Sequence, residues 1–413
     1  MLDIKYIRDN ADEVRTAIAG RKDGAPIDDI LTLDAERRDK LALLEEKRRA
    51  RKELARTTQQ EAAEEGRVLR DVIKSLEDRL REIDDKLGEL LLQVPNIPQQ
   101  SVPRGTSEED NVITRSWGEP KCLGFSAKPH WELGEKLGII DFERGVKLSG
   151  TRFYVLKGLG ARLQRAVIAL MLDLHTREAG YTEVYLPYLV KHDIMTASGN
   201  LPKFADNLYH EDTDDMWFVP TAEVPLTGLH SGEILPPGSL PLHYAAYTAC
   251  FRREKMSAGK DTRGIKRGHQ FDKVELYKLT EPERSNDELE AMTADVERVL
   301  QRLDLPYRLK ALCTADLGFA SSKTYDIEVW APGCGEWLEV SSCSNCLDFQ
   351  ARRAGIRYRP AEGAKAEYVH TLNGSGLALP RIMIAIIENY QQDNGTIIIP
   401  AALQPFMGEA VIS

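Results

Sequence analysis

From Arg67 to Val94, the residues Leu69, Ile73, Leu76, Leu80, Ile83, Leu87 and Leu90 recur at alternating steps of four and three, with charged residues between them. That spacing is the seam of a helix packed along another helix. Ile30 to about Thr57 has few breakers, many charges and a thinner stripe at Ile30, Leu33, Leu41, Leu44 and Leu54, and the polar stretch Thr58 to Gly66 separates the two. An antiparallel helical hairpin follows, roughly 40 Å long at ~1.5 Å per residue. Upstream, Asn10 with Glu13 predicts a capping box for a first short helix, and Gly20 and Gly24 to Pro26 interrupt the pattern.

Pro95, Pro98 and Pro103 break the second arm and mark a linker. They divide the chain into 1–104, with the arm at about 30–94, and 105–413. Beyond the linker, Arg162 to Glu178 reads as an amphipathic helix with Leu163, Ala166, Val167, Leu170 and Leu174 inward, and Tyr181 to Pro187 as extended. Trp217 to Pro220, Tyr325 to Trp330, Trp337 to Ser341 and Thr396 to Ile399 read as strands that follow loops rather than crossover helices. The expected fold is therefore α+β, with a mostly antiparallel sheet.

Cys250 to Leu279 holds two strand-like stretches around a loop. If the first is extended, Arg252 and Glu254 share a face; in the second, Phe271, Lys273, Glu275 and Tyr277 share one face while Val274 and Leu276 enter a core. Lys260, Arg263, Lys266 and Arg267, spaced by Gly259, Gly264 and Gly268, make the loop too basic for a mere connector. It suits a polyanion such as a nucleotide.

The net charge of −10 argues against indiscriminate attraction to nucleic acid, so any RNA contact must come from a local patch. Lys47, Arg48, Arg49, Arg51, Lys52 and Arg56 crowd the tip half of the first arm helix. Read alone, they are a solvated face paired with Glu45, Glu46 and acids of the opposite helix. Asp3 and Lys5 stand where a signal peptide needs an apolar run, and no stretch reaches the length of a membrane span, so a cytoplasmic protein without membrane contact is expected. Six cysteines in so long a chain do not make a disulfide framework. Cys343-x-x-Cys346 with Cys334 lacks an evident fourth ligand, so no zinc is expected, and Cys343 and Cys346 read as small apolar groups at a strand end.

Cys250 to Leu279 resembles motif 2 of the class II aminoacyl-tRNA synthetases, and in detail the seryl-tRNA synthetases, which share its Asp-Thr-Arg-Gly run. Thr371 to Phe406 resembles motif 3, with Gly374 and Gly376 at a strand-to-helix turn and Arg381 inside the helix. Thr221-Ala222-Glu223 resembles the serine-pocket strand, and Glu339 to Asn345 the metal and nucleotide strand. Arg162 to Pro187 resembles motif 1, which forms the dimer interface. The resemblance covers nearly the whole chain, including the arm that grips tRNA in these enzymes.

What it implies is a ligase that makes seryl-adenylate from L-serine and Mg-ATP and loads serine tRNA, with selenocysteine tRNA a further candidate, working as a homodimer. Arg252 and Arg381 would be catalytic: Arg252 bridges the serine carboxylate and the α-phosphate, and Arg381 holds the γ-phosphate. Serine would meet Thr221, Ala222, Glu223, Arg252, Glu275 and Ser375. ATP would meet Arg252, Arg253, Glu254, Phe271, Glu339, Val340, Ser341, Ser342 and Arg381. Magnesium would sit on Glu339 and Ser342, which strict alternation puts on opposite faces unless the strand is bulged. Pro380 is compatible with the motif 3 helix only in its first turn, which places the helix start near Ala378. From the residues alone, Arg252 could instead pair with Glu254, Glu275 with Lys273 or Lys278, and Ser375 could be a helix cap. The competing functions are a ligase loading an amino acid onto a carrier protein, which would lack the arm, and a non-catalytic RNA-binding homologue, which would have lost Arg252, Glu275 or Arg381.

Overall fold

A computed structural model describes residues 1–55, 61–255 and 263–413, with side chains from residue 64 onward in the second stretch. Arg56 of the basic set, Thr58 to Gln60 of the spacer, and Gly259, Lys260, Asp261 and Thr262 of the loop lie outside the described residues.

The chain forms two compact units, Met1–Ile97 and Pro98–Ser413. The division falls before the position near residue 105 that the linker prolines suggest. Past Pro98 the backbone is already stitched to the second unit: Gln99 N–H donates to the Ser322 carbonyl, and Thr314 N–H to that of Pro103.

In the first unit, helices α1 (Ile4–Asp9) and α2 (Ala11–Gly20) precede α3 (Ile27–Leu54) and α4 (Glu61–Leu91). The Asn10–Glu13 capping box does not form. Asn10 makes no side-chain cap to α2; its Nδ2 donates back to the Tyr6 carbonyl at 3.1 Å, closing α1 instead. In α4, Ile73, Leu76 and Leu80 bury against Leu44 and Leu41 of α3. The last turn departs from the predicted seam, since Leu91 rather than Leu90 is fully buried. A 3.6-residue turn drifts relative to a strict 3-4 repeat, which moves the buried position on by one. Arg79 with Glu36, Arg37 with Asp84 and Arg48 with Glu77 pair across the hairpin, in keeping with its antiparallel sense.

The second unit is built on eight strands: β1 (Val112–Trp117), β2 (Thr182–Glu183), β3 (Leu242–Phe251), β4 (Gln270–Thr280), β5 (Tyr307–Ala311), β6 (Lys323–Ala331), β7 (Glu336–Leu347) and β8 (His370–Ala378). Their spatial order is β1-β5-β6-β7-β8-β4-β3-β2, and every neighbouring pair is antiparallel except β2 with β3. Period-2 alternation works on β4 as expected. Val274 and Leu276 enter the main core with helix α5 (Leu159–Asp173) and helix α7 (Ser285–Arg302), while Tyr277 enters a separate cluster with Ala222, Leu226 and Ile356 on the other face. Between α5 and α7 lies the short helix α6 (Glu223–Gly228), and β8 runs directly into α8 (Leu379–Asn389). No helix among the described residues is long and apolar enough to cross a membrane.

Candidate active site

On one face of the sheet, β4, β7, β8 and the start of α8 surround an open cavity. It is lined by Arg252, Glu254, Lys266, Arg267, Gly268, Phe271, Lys273, Glu339, Val340, Ser375, Ala378, Pro380 and Arg381. Most of the residues expected to bind nucleotide therefore converge, although they come from four distant stretches of chain. Lys266 and Arg267 belong to the basic loop and have no role in the site that the resemblance implies; the loop's return limb brings them to its rim.

Arg252 and Glu254 reach this cavity by a route other than strand alternation. β3 ends at Phe251, and Glu254 adopts a left-handed backbone with φ +51°. Arg252 Nε donates to the Pro220 carbonyl at 3.2 Å and the guanidinium lies 5.1 Å from the centre of the Phe271 ring. Glu254 faces Arg267 at 3.7 Å. Arg253 packs over Tyr209, and its N–H donates to the Asn207 carbonyl. Its side chain is not among the cavity's lining groups.

Beside Arg252, Thr221 begins the turn into α6, so Thr221-Ala222-Glu223 is a helix entry and not a strand. Thr221 Oγ1 donates to Glu275 Oε2 at 2.8 Å, and Lys273 Nζ lies 2.5 Å from the same oxygen. The pairing of Glu275 with Lys273 is thus real, and it holds the carboxylate in a pocket where Glu275 is 1% exposed. Glu223 accepts from Gln350 Nε2 at 2.6 Å and Asn373 Nδ2 at 3.2 Å. Burial first, and the charge of Glu275 second, push the Glu223 carboxyl up to about 7. Ala222 is fully buried in the cluster around Tyr277 and offers the site only backbone.

Ser375 is not a helix cap, and Gly374 and Gly376 are not at a turn. All three lie within β8, and the N-cap of α8 is Ala378. A Cβ on Gly374 would stand 2.8 Å from Met292 Sδ and 2.9 Å from Cys343 Sγ, so close packing is what requires glycine there. Pro380 occupies the first turn of α8, as the proline's geometry demands, and Arg381 follows it. Arg381 Nη1 donates to the Glu339 carbonyl at 2.7 Å and stands 3.2 Å from its carboxylate.

The bulge required on β7 is present. Ile327 pairs with Ser341 and Glu328 with Glu339, leaving Val340 as the extra residue. Glu339 and Ser342 consequently face the same side and line a second cavity beneath the first, together with Asp326. Val340 belongs to the main core and also lines the first cavity, and Ser341 Oγ is spent on the Ser375 carbonyl at 2.6 Å. Sequence reasoning missed Asp326, which stands opposite Ser342 across the ladder. Its Oδ1 is buried with no hydrogen-bond partner among the described residues, and burial together with the charge of Glu339 holds the carboxyl well above its ordinary range. A set of two carboxylates and a hydroxyl, one oxygen orphaned, fits a small hard cation such as magnesium. Cys343 and Cys346 are fully buried, and Cys334 contacts His130 and Glu388.

Similarity to known proteins agrees with this geometry. Residues 1–98 match the model of the seryl-tRNA synthetase N-terminal domain, and residues 204–390 that of the class II tRNA synthetase core domain for G, H, P, S and T. The serine-tRNA ligase of Dehalococcoides mccartyi is 62% identical over 412 residues, covering 100% of both chains. The seryl-tRNA synthetase of Pyrococcus horikoshii, solved in complex with ATP, superposes with a TM-score of 0.95 at 38% identity, over 100% of this chain and 99% of that one. The cytoplasmic serine-tRNA ligase of Naegleria fowleri, solved with AMP, superposes with a TM-score of 0.90 at 29% identity, over 100% and 99%. A match that runs end to end through the arm, the bulged strand and the Arg252 and Arg381 positions places the chain in the seryl-tRNA synthetase family of class II aminoacyl-tRNA synthetases.

Proposed function

We propose that this protein joins L-serine to the terminal adenosine of serine tRNA in two steps. A serine carboxylate oxygen attacks the α-phosphorus of ATP, the bond to pyrophosphate breaks, and seryl-adenylate forms; the terminal ribose hydroxyl of the tRNA then displaces AMP. Selenocysteine tRNA is a further candidate for the same chemistry. The observation that carries this reading is the buried Glu275, held by Thr221 and Lys273 beside Arg252 at the foot of a cationic cavity.

Both reactants of the first step are anions, so the work is positioning and charge cancellation, without a general base. Arg252 offers a planar fork to the serine carboxylate and the α-phosphate together, which lysine cannot imitate. Its cation–π contact with Phe271 and its bond to Pro220 hold the side chain before substrate arrives. Adenine enters against Phe271 near Glu254, and Arg381 turns from Glu339 to the γ-phosphate. The ammonium of serine meets Thr221 and Glu223. Both contacts on Glu275 fall on Oε2, and Oε1 is the acceptor for the serine hydroxyl. Alanine and glycine would leave that buried Oε1 without a donor, a penalty that reaches about 10⁴ to 10⁵-fold in sites of this kind. Glu339 and Ser342, with Asp326 across the ladder, would hold Mg2+, which would supply positive charge against the phosphates.

The first unit, Met1–Ile97, is assigned to tRNA binding through the arm, and the second, Pro98–Ser413, to catalysis. Arg49, Arg51 and Lys52 are exposed with no ion-pair partner among the described residues, whereas Lys47 pairs with Glu46 and Arg48 with Glu77. The first three suit a phosphate backbone. The enzyme is a cytoplasmic homodimer. Tyr185, 88% exposed, on the motif 1 segment after α5, and Leu189 just beyond it give a second copy apolar surface to cover.

The test is ATP-pyrophosphate exchange without tRNA, running serine beside threonine, alanine, glycine and cysteine. Exchange confined to serine is expected; exchange with another amino acid would move the function to the carrier-loading branch.

A further inference from the structure

Away from the cavity, His130 and Glu388 are both essentially sealed from solvent, at 1% and 0% exposure. Glu388 Oε1 accepts from the His130 backbone N–H at 2.9 Å, from His130 Nδ1 at 2.8 Å and from Cys334 Sγ at 3.1 Å; Oε2 accepts from the N–H groups of Gly333 and Cys334, each at 2.9 Å. The cluster of His130, Cys334 and Glu388 has the composition of a metal site, but its donors and acceptors are already matched within the protein. With Nδ1 giving its proton to Glu388, Nε2 is left as an acceptor.

That acceptor is used on the basic loop. Ile265 N–H donates to His130 Nε2 at 3.2 Å. Ile265 is fully buried in the main core, and the three residues after it, Lys266, Arg267 and Gly268, line the nucleotide cavity. Gly264, in a left-handed turn at φ +74°, lies so close that a Cβ on it would overlap His130 Nε2. Glycine is required here twice over, by backbone conformation and by the ring. The other partner, Glu388, lies in the last turn of α8, the helix whose first turn carries Arg381.

We propose that His130 is a positioning residue for the nucleotide-facing loop: held by Glu388, its Nε2 pins Ile265 and thereby sets Lys266 and Arg267 in register with Arg381. This rests on the reading of the cavity as the ATP site. A buried hydrogen bond from an N–H to an imidazole is directional, so the loop's return limb is fixed by a point on the same rigid helix that presents the phosphate-binding arginine.

Two near-isosteres separate the ring's two contacts. His130→Asn keeps a donor where Nδ1 stands and loses the acceptor for Ile265; His130→Gln keeps an acceptor where Nε2 stands and loses the bond to Glu388. The expected result is a rise of about tenfold in KM for ATP in H130N, the size of one buried hydrogen bond, with KM for serine little changed and H130Q within about threefold of the parent. Hydrogen-exchange mass spectrometry on the peptide 263–269 should show diminished protection in H130N and retained protection in H130Q. Equal ATP KM values in the two variants, or equal protection of that peptide, would overturn the proposal and leave His130 a core residue only. If the parent protein shows no serine-dependent exchange, the reading of the cavity falls while the peptide's protection still decides whether His130 anchors the loop.

Discussion

Lys273 and Glu275 stand two residues apart on the same face of β4, Nζ and Oε2 2.5 Å apart, with their side chains only 9% and 1% exposed. A pair this deep is held by mutual need: removing one partner leaves the other charge buried without compensation. Glu275→Ala should therefore destabilise the protein by about 3 kcal/mol as well as emptying the serine pocket. Glu275→Gln keeps an acceptor for Thr221 and separates the two effects. The expected outcome in both is retained ATP binding with serine-dependent exchange abolished; a Gln variant that exchanges normally would remove Glu275 from the pocket.

Arg252 donates from Nε to the Pro220 carbonyl, and its guanidinium lies 5.1 Å from the centre of the Phe271 ring. Lysine at 252 retains the charge but not the planar fork with its second donor. Adenylate formation should fall by about 10²-fold or more in kcat, the scale on which single transition-state donors operate, with thermal stability nearly unchanged. Pre-steady-state adenylate formation measures it directly.

The Glu223 carboxyl, ordinarily near 4.5, is raised to about 7, chiefly by burial. Serine's ammonium binds the ionised form, so below pH 7 binding must expel a proton. KM for serine should be flat above pH 7 and rise up to about tenfold per unit below it. For stability the sign is opposite. The folded state keeps this proton between 4.5 and 7 while the unfolded chain loses it, so the contribution of Glu223 to folding is full below 4.5 and lost as pH rises through 7. Glu223→Gln should abolish the KM slope, and a slope that survives would assign it to another group.

Charge reversal on the arm should be made at Arg49, Arg51 and Lys52 and not at Arg48, whose bond to Glu77 at 2.7 Å helps close the hairpin. Pyrophosphate exchange should be unaffected. Aminoacylation of tRNA should weaken, and the dependence of log affinity on log salt should become shallower by roughly 0.7 to 0.9 for each phosphate that is no longer neutralised. Parallel loss of exchange and charging would contradict separate roles for the two units.

The sequence by itself determined what repeats locally. A 3-4 leucine pattern specified the hairpin, period-2 alternation on β4 specified which of its side chains face the cavity, and the ring of Pro380 fixed where α8 begins, because each follows from neighbours a few residues apart. That Glu339 and Ser342 need a bulge or a strand end to reach one side was legible too, although its place at Val340 comes from the pairing with β6. What the tertiary structure decided is everything set by cross-strand register and long-range approach. Asp326 meets Ser342 only because β6 and β7 pair in that register; Glu254 faces the cavity through a left-handed backbone instead of strand alternation; Ser375 and its flanking glycines belong to a strand that pairs with β4, and Met292 and Cys343 close on Gly374. His130 and Ile265, 135 residues apart, share a hydrogen bond that no spacing announces. Local pattern records the period of an element, whereas the partner of a buried polar atom depends on which distant element the packing delivers to it.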